Sequence, residues 1–217
     1  MISAVVFDAF GTIVRIGERT HPYVALFRES RRQGVAINLG STGLAMTMNL
    51  SFDELASRLG IVLSSSKRKE LNRALEQELT SIEPYPDAIE AVSLLQNSGI
   101  RLGICSNLAT PYGPVVRRLF PEMDGYAFSF ELGVMKPQSA IYRSVCSQMG
   151  IKPGHYLSRD EDEVIMIGDS KRCDRDGPRS VGIMGLHLDR KGLGPINDLV
   201  QFAKLVIDQN RKFTIGS

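Results

Sequence analysis

Several features are scarce in this chain of 217 residues, and each scarcity excludes a class of protein. Tryptophan is absent, and the three cysteines follow no spacing typical of a metal site or a disulfide framework. We therefore expect reduced thiols, as in a cytoplasmic protein. No apolar run is long enough to span a bilayer. The chain starts directly with a predicted strand rather than with a secretion signal.

Neither positive nor negative charge predominates in the chain. The 26 basic and 24 acidic residues leave a formal net charge of +2, which gives no electrostatic reason to expect nucleic acid or a membrane as partner. Basic stretches interleaved with aromatic residues, internal repeats and low-complexity segments are absent as well. The sequence is silent on the oligomeric state.

Apolar strands and amphipathic helices alternate in the second half of the chain, where 43% hydrophobic content overall allows a substantial core. This alternation predicts an α/β fold with a doubly wound parallel sheet and right-handed crossovers. The predicted strands are a first one that ends at Asp8, then Ile100 to Cys105, Tyr126 to Phe130, Val164 to Ile167 and Ile183 to Leu188.

The stretch between the first strand and Pro84 is helical in pattern. Thr20 is the predicted N-cap of its first helix, Ser51 opens a capping box, and the longest helix is predicted from Ser66 to Ile82. We therefore predict a helical domain at residues 15–82, inserted into an α/β core domain formed by residues 1–14 and 83–217.

Polar side chains stand where three of the apolar strands end. Asp8 follows the first strand, Ser106 and Asn107 follow the second, and Asp169 follows the strand that runs into Gly168. The carboxyl ends of parallel strands meet on one side of a sheet, at the crevice where open α/β sheets bind ligands. The sequence therefore predicts one site built from these residues.

The residue types at this edge suggest group transfer. A carboxylate such as Asp8 can attack phosphorus or carbon and form a covalent aspartyl intermediate. Gly11 allows a tight turn with close backbone approach to a bound group, and Thr12 can hydrogen-bond within the same loop. Ser106 and Asn107 can donate hydrogen bonds to phosphate oxygens.

A second set of charged residues would complete such a site. Asp169 and Asp174, placed near Asp8, suit a hard cation with oxygen ligands such as Mg²⁺. A fixed ammonium at Lys136, held by the following proline, would offset the charge of Asp8 and of the transferred group.

These motifs resemble those of the haloacid dehalogenase-like hydrolases, in the family's order and over nearly the whole chain. The resemblance implies that Asp8 is the nucleophile and that Mg²⁺ is bound by Asp8, Asp169 and the backbone carbonyl of Phe10. It also implies that Ser170 and Asp174 orient the site, that Ser106 and Lys136 contact a phosphorylated small-molecule substrate, and that the helical insert is a cap. The sequence segments that match the family's motifs are Asp8-Ala9-Phe10-Gly11-Thr12, Ile104-Cys105-Ser106-Asn107, Lys136-Pro137 and Gly168-Asp169-Ser170 with Asp174.

The chain departs from this family's pattern at two places. The stretch from Gly154 to Glu163 is polar and longer than expected, and we interpret it as a surface loop. More importantly, Phe10 stands where most phosphatases of the family carry a second aspartate, the general acid and base. Phe10 has no proton to give, so the leaving group must be a good one, or another residue or a water must supply the proton.

Three functions therefore remain open. The dehalogenase branch also has an aromatic residue at the position of Phe10, but lacks the acid that this chain retains at Asp169. In a metal-free site that acid would face Asp8 as an unpaired like charge, so a Mg²⁺-dependent phosphatase is favoured over a metal-independent 2-haloacid dehalogenase. The third alternative is a catalytically weak binding or regulatory protein, which the retained acids and Lys136 argue against.

Overall fold

The computed structural model describes residues 1–35, 39–152, 163–192 and 194–215, except for the side chains of residues 39–42 and 213–215. Strands β1, β4, β5, β6 and β7 form a parallel sheet in the order β5-β4-β1-β6-β7, while β2 and β3 form a separate antiparallel pair. The predicted parallel α/β sheet is thereby confirmed. The strand bounds are β1 Ile2–Phe7, β2 Val14–Ile16, β3 Ile82–Pro84, β4 Arg101–Ser106, β5 Gly125–Phe128, β6 Glu163–Gly168 and β7 Met184–His187.

Helices cover both faces of the large sheet. The side chains of β1 alternate between the two faces of the sheet, because Val5 and Phe7 belong to one apolar cluster and Ala4 and Val6 to the other. The α-helices are α1 Pro22–Arg32, α2 Leu39–Thr47, α3 Phe52–Arg58, α4 Ser65–Thr80, α5 Pro86–Asn97, α6 Tyr112–Leu119, α7 Ser129–Leu132, α8 Ser139–Gln148 and α9 Leu199–Ile215, with a π-helical turn at Lys171–Asp176 and a 3₁₀ turn at Pro178–Val181.

The four helices α1 to α4 lie in the chain between β2 and β3, whose pairing closes the base of the insert. The prediction that the longest helix continues to Ile82 is wrong at its end, because α4 stops at Thr80 and Ile82 begins β3. The chain turns there as Gly17 donates from its backbone N–H to the carbonyl of Ser81 at 3.0 Å. The domain boundary at residues 15–82 itself stays a prediction.

Thr20 does not cap α1 as predicted. The N-cap is His21, in a left-handed conformation with φ of 55° and without a side-chain capping bond. The hydroxyl of Thr20 instead donates to the carbonyl of Ala74, at 2.6 Å, and contacts Glu78. Thr20 therefore ties α1 to α4, a tertiary contact that overrides the local capping preference. The capping box at Ser51 is present as predicted.

The strand predicted to reach Phe130 ends at Phe128, because Ser129 begins the short helix α7. The Ser129 hydroxyl accepts a hydrogen bond from the N–H of Leu108 at 2.9 Å, which draws this turn against the end of β4. Residues 154–162 of the predicted surface loop lie outside the described residues, and Glu163 begins β6. No helix in the described part of the chain is long and apolar enough to cross a membrane.

Candidate active site

Asp8 lies immediately after β1, at the carboxyl edge of the large sheet. Its backbone N–H donates to the carbonyl of Ile167 at 3.0 Å, so the turn after β1 is tied to the end of β6. Its carboxylate accepts hydrogen bonds from the hydroxyl of Ser106 at 2.8 Å and from Nζ of Lys136 at 2.7 Å. Asp8 is only 7% exposed. The structure thus brings together the three residues predicted to carry the chemistry.

Lys136 is buried between two carboxylates. Its Nζ donates to Asp8 Oδ1 and to Asp174 Oδ1, each at 2.7 Å. Burial alone would lower the pKa of Lys136, but the charges of Asp8 and Asp174 outweigh it and raise the pKa above its ordinary value. The ammonium therefore keeps its charge at neutral pH.

Asn107 holds the backbone of Lys136. Its side-chain amide donates to the Lys136 carbonyl at 3.1 Å and accepts from the Lys136 N–H at 2.8 Å. The Lys136-Pro137 peptide bond is cis. The amide of Asn107 thus helps to place Lys136, and its second N–H is left over for the phosphate contact, which stays a prediction.

Three carboxylates meet in this site. Asp8, Asp169 and Asp174 each place one oxygen so that all three lie within 4.8 Å of one another. Burial and the charge of Asp8 raise the pKa of Asp174 to about 6, although Lys136 opposes the shift. Burial and Asp8 likewise raise the pKa of Asp169. One ammonium does not neutralise three acids, and a divalent cation with oxygen ligands fits this set.

Two glycines make room for these acids. A Cβ atom at Gly11 would overlap the carboxylate of Asp169, and one at Gly168 would overlap the carboxylate of Asp174. Gly11 also has a φ of 81°, which side chains rarely tolerate. The tight turn predicted for Gly11 is present, glycine is required there because of Asp169, and close approach to a bound group stays a prediction.

Phe10 and Thr12 occupy the same turn. The ring of Phe10 packs edge-on against Tyr112 with centroids 5.6 Å apart. Among the described residues no hydrogen bond engages the Phe10 carbonyl, the predicted main-chain metal ligand. Thr12 is fully buried, and its hydroxyl finds no partner among the described residues. The hydrogen bond predicted for that hydroxyl within the loop is therefore not observed.

The π-helical turn after β6 orients Asp174. The N–H of Ser170 donates to Asp174 Oδ2 at 2.9 Å, and the Ser170 hydroxyl accepts from the N–H of Cys173 at 3.2 Å. Asp174 has no exposed surface. It therefore holds Lys136 from inside the protein, which suits the orienting role predicted for it.

Sequence reasoning missed Arg190, which follows β7. Its guanidinium donates to the carbonyls of Gly11 and Thr12, pairs with Asp87 at 3.0 Å and stacks on Tyr85. Arg190 thus fastens the loop that follows Asp8 to the start of α5. No local pattern signals this, since the partners are separated by more than 100 residues.

If the predicted Mg²⁺ site forms at these acids, replacing Arg190 with Ala is expected to raise the Mg²⁺ concentration for half-maximal activity by about 10- to 100-fold, as loss of outer supports of metal sites does. The loop it fastens packs on Asp169 and carries the Phe10 carbonyl. Lys191→Ala, at an exposed neighbour, is the matched control and should leave that concentration unchanged. Loss of turnover with an unchanged Mg²⁺ requirement would contradict this positioning role.

A family model for haloacid dehalogenase-like hydrolases matches residues 2–182. The chain belongs to the haloacid dehalogenase-like hydrolase family. This family assignment makes it a hydrolase and confirms the resemblance carried by the four motifs.

Curated relatives match only part of this hydrolase. A glyceraldehyde 3-phosphate phosphatase of Methanopyrus kandleri is 29% identical over 126 residues, 54% of this chain and 49% of the relative. An uncharacterized protein of Saccharomyces cerevisiae is 30% identical over 116 residues, 49% of this chain and 38% of the relative. The matched stretch thus spans about half or less of these relatives' lengths.

Solved structures with this hydrolase fold include both phosphatases and dehalogenases. An HAD phosphatase from Thermococcus onnurineus superposes with a TM-score of 0.63 at 23% identity, covering 94% of this chain and 98% of that one. A 2-haloacid dehalogenase from Pseudomonas syringae pv. Tomato superposes with a TM-score of 0.63 at 15% identity, covering 96% and 100%. At such identities the likeness shows the fold alone.

Proposed function

We propose that this hydrolase is a Mg²⁺-dependent phosphatase that acts on a small phosphorylated molecule through an aspartyl-phosphate at Asp8. The observation that carries the proposal is the convergence of Asp8, Asp169 and Asp174, which place one oxygen each within 4.8 Å of one another, while the Lys136 ammonium contacts only Asp8 and Asp174. Three carboxylates at this distance repel one another unless a cation joins them. Carbon–halogen displacement needs no such cation.

Asp8, Asp169 and the Phe10 carbonyl would hold the ion, and Asp174 would keep Lys136 in place. The bound Mg²⁺ would neutralise charge on the phosphoryl oxygens. In the first step an oxygen of Asp8 bonds to phosphorus, and the bond from phosphorus to the leaving oxygen breaks with its electron pair on that oxygen. Ser106 and Lys136 steer the Asp8 carboxylate toward the crevice. Water then hydrolyses the aspartyl-phosphate, releasing inorganic phosphate and restoring Asp8.

The insert α1 to α4 would act as the cap of the proposed enzyme. Its buried Glu78 accepts a hydrogen bond from the core residue Tyr112 at 2.6 Å, so cap and core are joined beside Phe10. A cap in this place excludes water from the reacting groups and sets substrate choice.

A 2-haloacid dehalogenase is the second candidate, and Phe10 is the observation that favours it. A halide leaves without a proton, so an apolar residue at this position does no harm to that reaction. The dehalogenase hypothesis does not account for Asp169, whose pKa burial and the charge of Asp8 raise and which forms no ion pair of its own among the described residues, while Lys136 pairs with Asp8 and Asp174.

Phosphate release from acetyl phosphate and p-nitrophenyl phosphate tests the proposal, since neither leaving group needs protonation. Turnover is expected with Mg²⁺ and should vanish with a chelator. Parallel assays measure chloride release from 2-chloropropionate. Chloride release that a chelator does not inhibit would support the dehalogenase hypothesis in place of the phosphatase hypothesis. The absence of both activities would favour a binding protein.

Mg²⁺ is also expected to stabilise the folded protein. At a hundred times its dissociation constant, the ion should raise the free energy of unfolding by about 2.7 kcal/mol. Asp169→Asn should abolish most of this gain in thermal denaturation. The control Asp176→Asn alters a half-exposed acid paired with Arg175 and should keep it. An equal gain in the free energy of unfolding in both variants would show that the ion binds at another site.

A further inference from the structure

A cavity of about 210 Å³ lies between the helical insert and the core. Phe10 and Asn107 line it, and each stands next to the catalytic groups in sequence, two residues after Asp8 and one after Ser106. Aromatic residues form much of its wall, namely Phe10, Tyr23, Phe27 and Tyr112, and its acidic group is Glu78. A substrate held at Asp8 would extend its leaving group toward this space.

Glu78 is a buried acid, 5% exposed, whose partners are all neutral. Its Oε1 accepts from the Tyr112 hydroxyl at 2.6 Å, and its Oε2 accepts from the N–H groups of Thr20 and His21, each at 2.9 Å. Among the described residues Glu78 forms no ion pair with a basic side chain. The start of α1 offsets part of its charge, but a buried carboxylate without a cation remains costly.

The aromatic residues around Glu78 suit a positive charge. Burial and the charge of Glu78 raise the pKa values of Tyr23 and Tyr112, so both phenols stay neutral at physiological pH. The ring faces of Phe, Tyr and Trp attract cations, and desolvated aromatic sites recognise quaternary ammonium groups. A lining that is mostly apolar and aromatic, with one buried acid, favours an alkylammonium over a strongly hydrated inorganic ion.

We propose that this cavity binds an alkylammonium group, quaternary or tertiary, at the leaving-group end of the substrate. The proposal rests on the proposed phosphatase function for its substrate class, the phosphate monoester of an amino alcohol. Glu78 supplies the countercharge and the aromatic rings supply the walls.

Such a substrate also suits Phe10. When the bond from phosphorus to oxygen breaks, the electron pair stays on the alcohol oxygen, which then takes a proton from water. A positive charge a few bonds away makes that oxygen less basic, so its departure depends less on a proton donor. The ring of Phe10, which cannot donate a proton, contributes instead to binding the cation.

Calorimetric titration with two isosteric probes tests the cavity without turnover. Choline carries a quaternary nitrogen where 3,3-dimethyl-1-butanol carries a neutral carbon. Choline is expected to bind about tenfold more tightly, the size of a desolvated cation–π contact with added charge pairing. Equal binding of the two probes, or tighter binding of the neutral one, would overturn the proposal in favour of a merely apolar pocket.

Variants of Glu78 test whether this side chain causes the preference for choline over the neutral isostere. Glu78→Gln should lower choline affinity while leaving the affinity for the neutral isostere unchanged, whereas Glu76→Gln, at an exposed position of the same helix, should change neither. If Glu78→Gln melts below the assay temperature, Tyr23→Leu replaces it and should also lower choline affinity selectively. Retained preference in a folded variant of Glu78 would refute its role.

Turnover separates this proposal from the function on which it rests. With Mg²⁺, kcat/KM for choline phosphate should exceed that for 3,3-dimethylbutyl phosphate by about tenfold. Turnover of acetyl phosphate without any such preference would leave the phosphatase standing and reject the cation site. Choline binding without turnover of any phosphate would keep the cation site and reject the phosphatase.

Discussion

Replacing Asp8 with Asn is expected to lower kcat for acetyl phosphate by at least on the order of 10⁴-fold, the scale on which loss of a nucleophile acts. An amide is a poor nucleophile for phosphorus, and the nearby hydroxyl of Ser106 is committed to Asp8 at 2.8 Å. The substitution keeps the shape of the side chain, so the protein should stay folded. Steady-state phosphate release measures the effect.

Asp176→Asn is the matched control for that experiment, since Asp176 pairs with Arg175 at the surface. It should retain wild-type turnover. Residual activity of Asp8→Asn within tenfold of the wild type, with an unaltered melting curve, would show that another group attacks phosphorus. The proposed covalent mechanism would then be wrong.

Replacing Phe10 with Asp is expected to raise kcat/KM for an unactivated alkyl phosphate by about 10²–10⁴-fold, the usual contribution of positioned proton transfer. An acid here would lie two residues from Asp8, in the turn that also packs on Asp169. Burial and these neighbours would raise its pKa, so part of it would be protonated and able to donate. Acetyl phosphate, whose leaving group needs no proton, should gain little.

Phe10→Asn controls for size and polarity because it is the neutral isostere of that aspartate. It should not show the gain. Equal rates for the two variants would mean that the site obtains its proton elsewhere. A loss of acetyl phosphate turnover in both would show that the ring itself holds the turn, through its packing on Tyr112.

The sheet and the main site were predictable because their signals are local. The apolar runs that end at Asp8, Ser106 and Asp169 identify strands and place polar side chains at one edge, since parallel strands share a direction. Lys136 was predictable from its motif. The model then adds its shared contact with Asp8 and Asp174, which depends on the turn after β6.

The features that sequence reasoning missed depend on contacts between distant elements. Arg190 reaches Gly11 across the sheet edge, and Glu78 meets Thr20, His21 and Tyr112 from a helix whose pattern shows it only as a polar position. The pairing of β2 with β3 was missed for a related reason. Three-residue strands carry too little periodicity to be distinguished from the ends of a helix.

The Asn107 prediction illustrates a subtler limit. The motif places a polar residue after Ser106, but residue type alone cannot say whether an amide faces a ligand or the backbone. Both ends of this amide bind the main chain of Lys136. The amide therefore positions Lys136, and a phosphate contact by its second N–H or by the backbone stays a prediction.

The proposed phosphatase mechanism requires that Asp8 carry a phosphoryl group in a reaction that depends on Mg²⁺. Mass spectrometry of the enzyme quenched during turnover of acetyl phosphate tests it most directly. We expect one phosphoryl group on the peptide that contains Asp8, present with Mg²⁺ and absent with a chelator or in Asp8→Asn. An unmodified Asp8 peptide during Mg²⁺-dependent turnover would contradict the account, as would an ester formed there from 2-chloropropionate without metal.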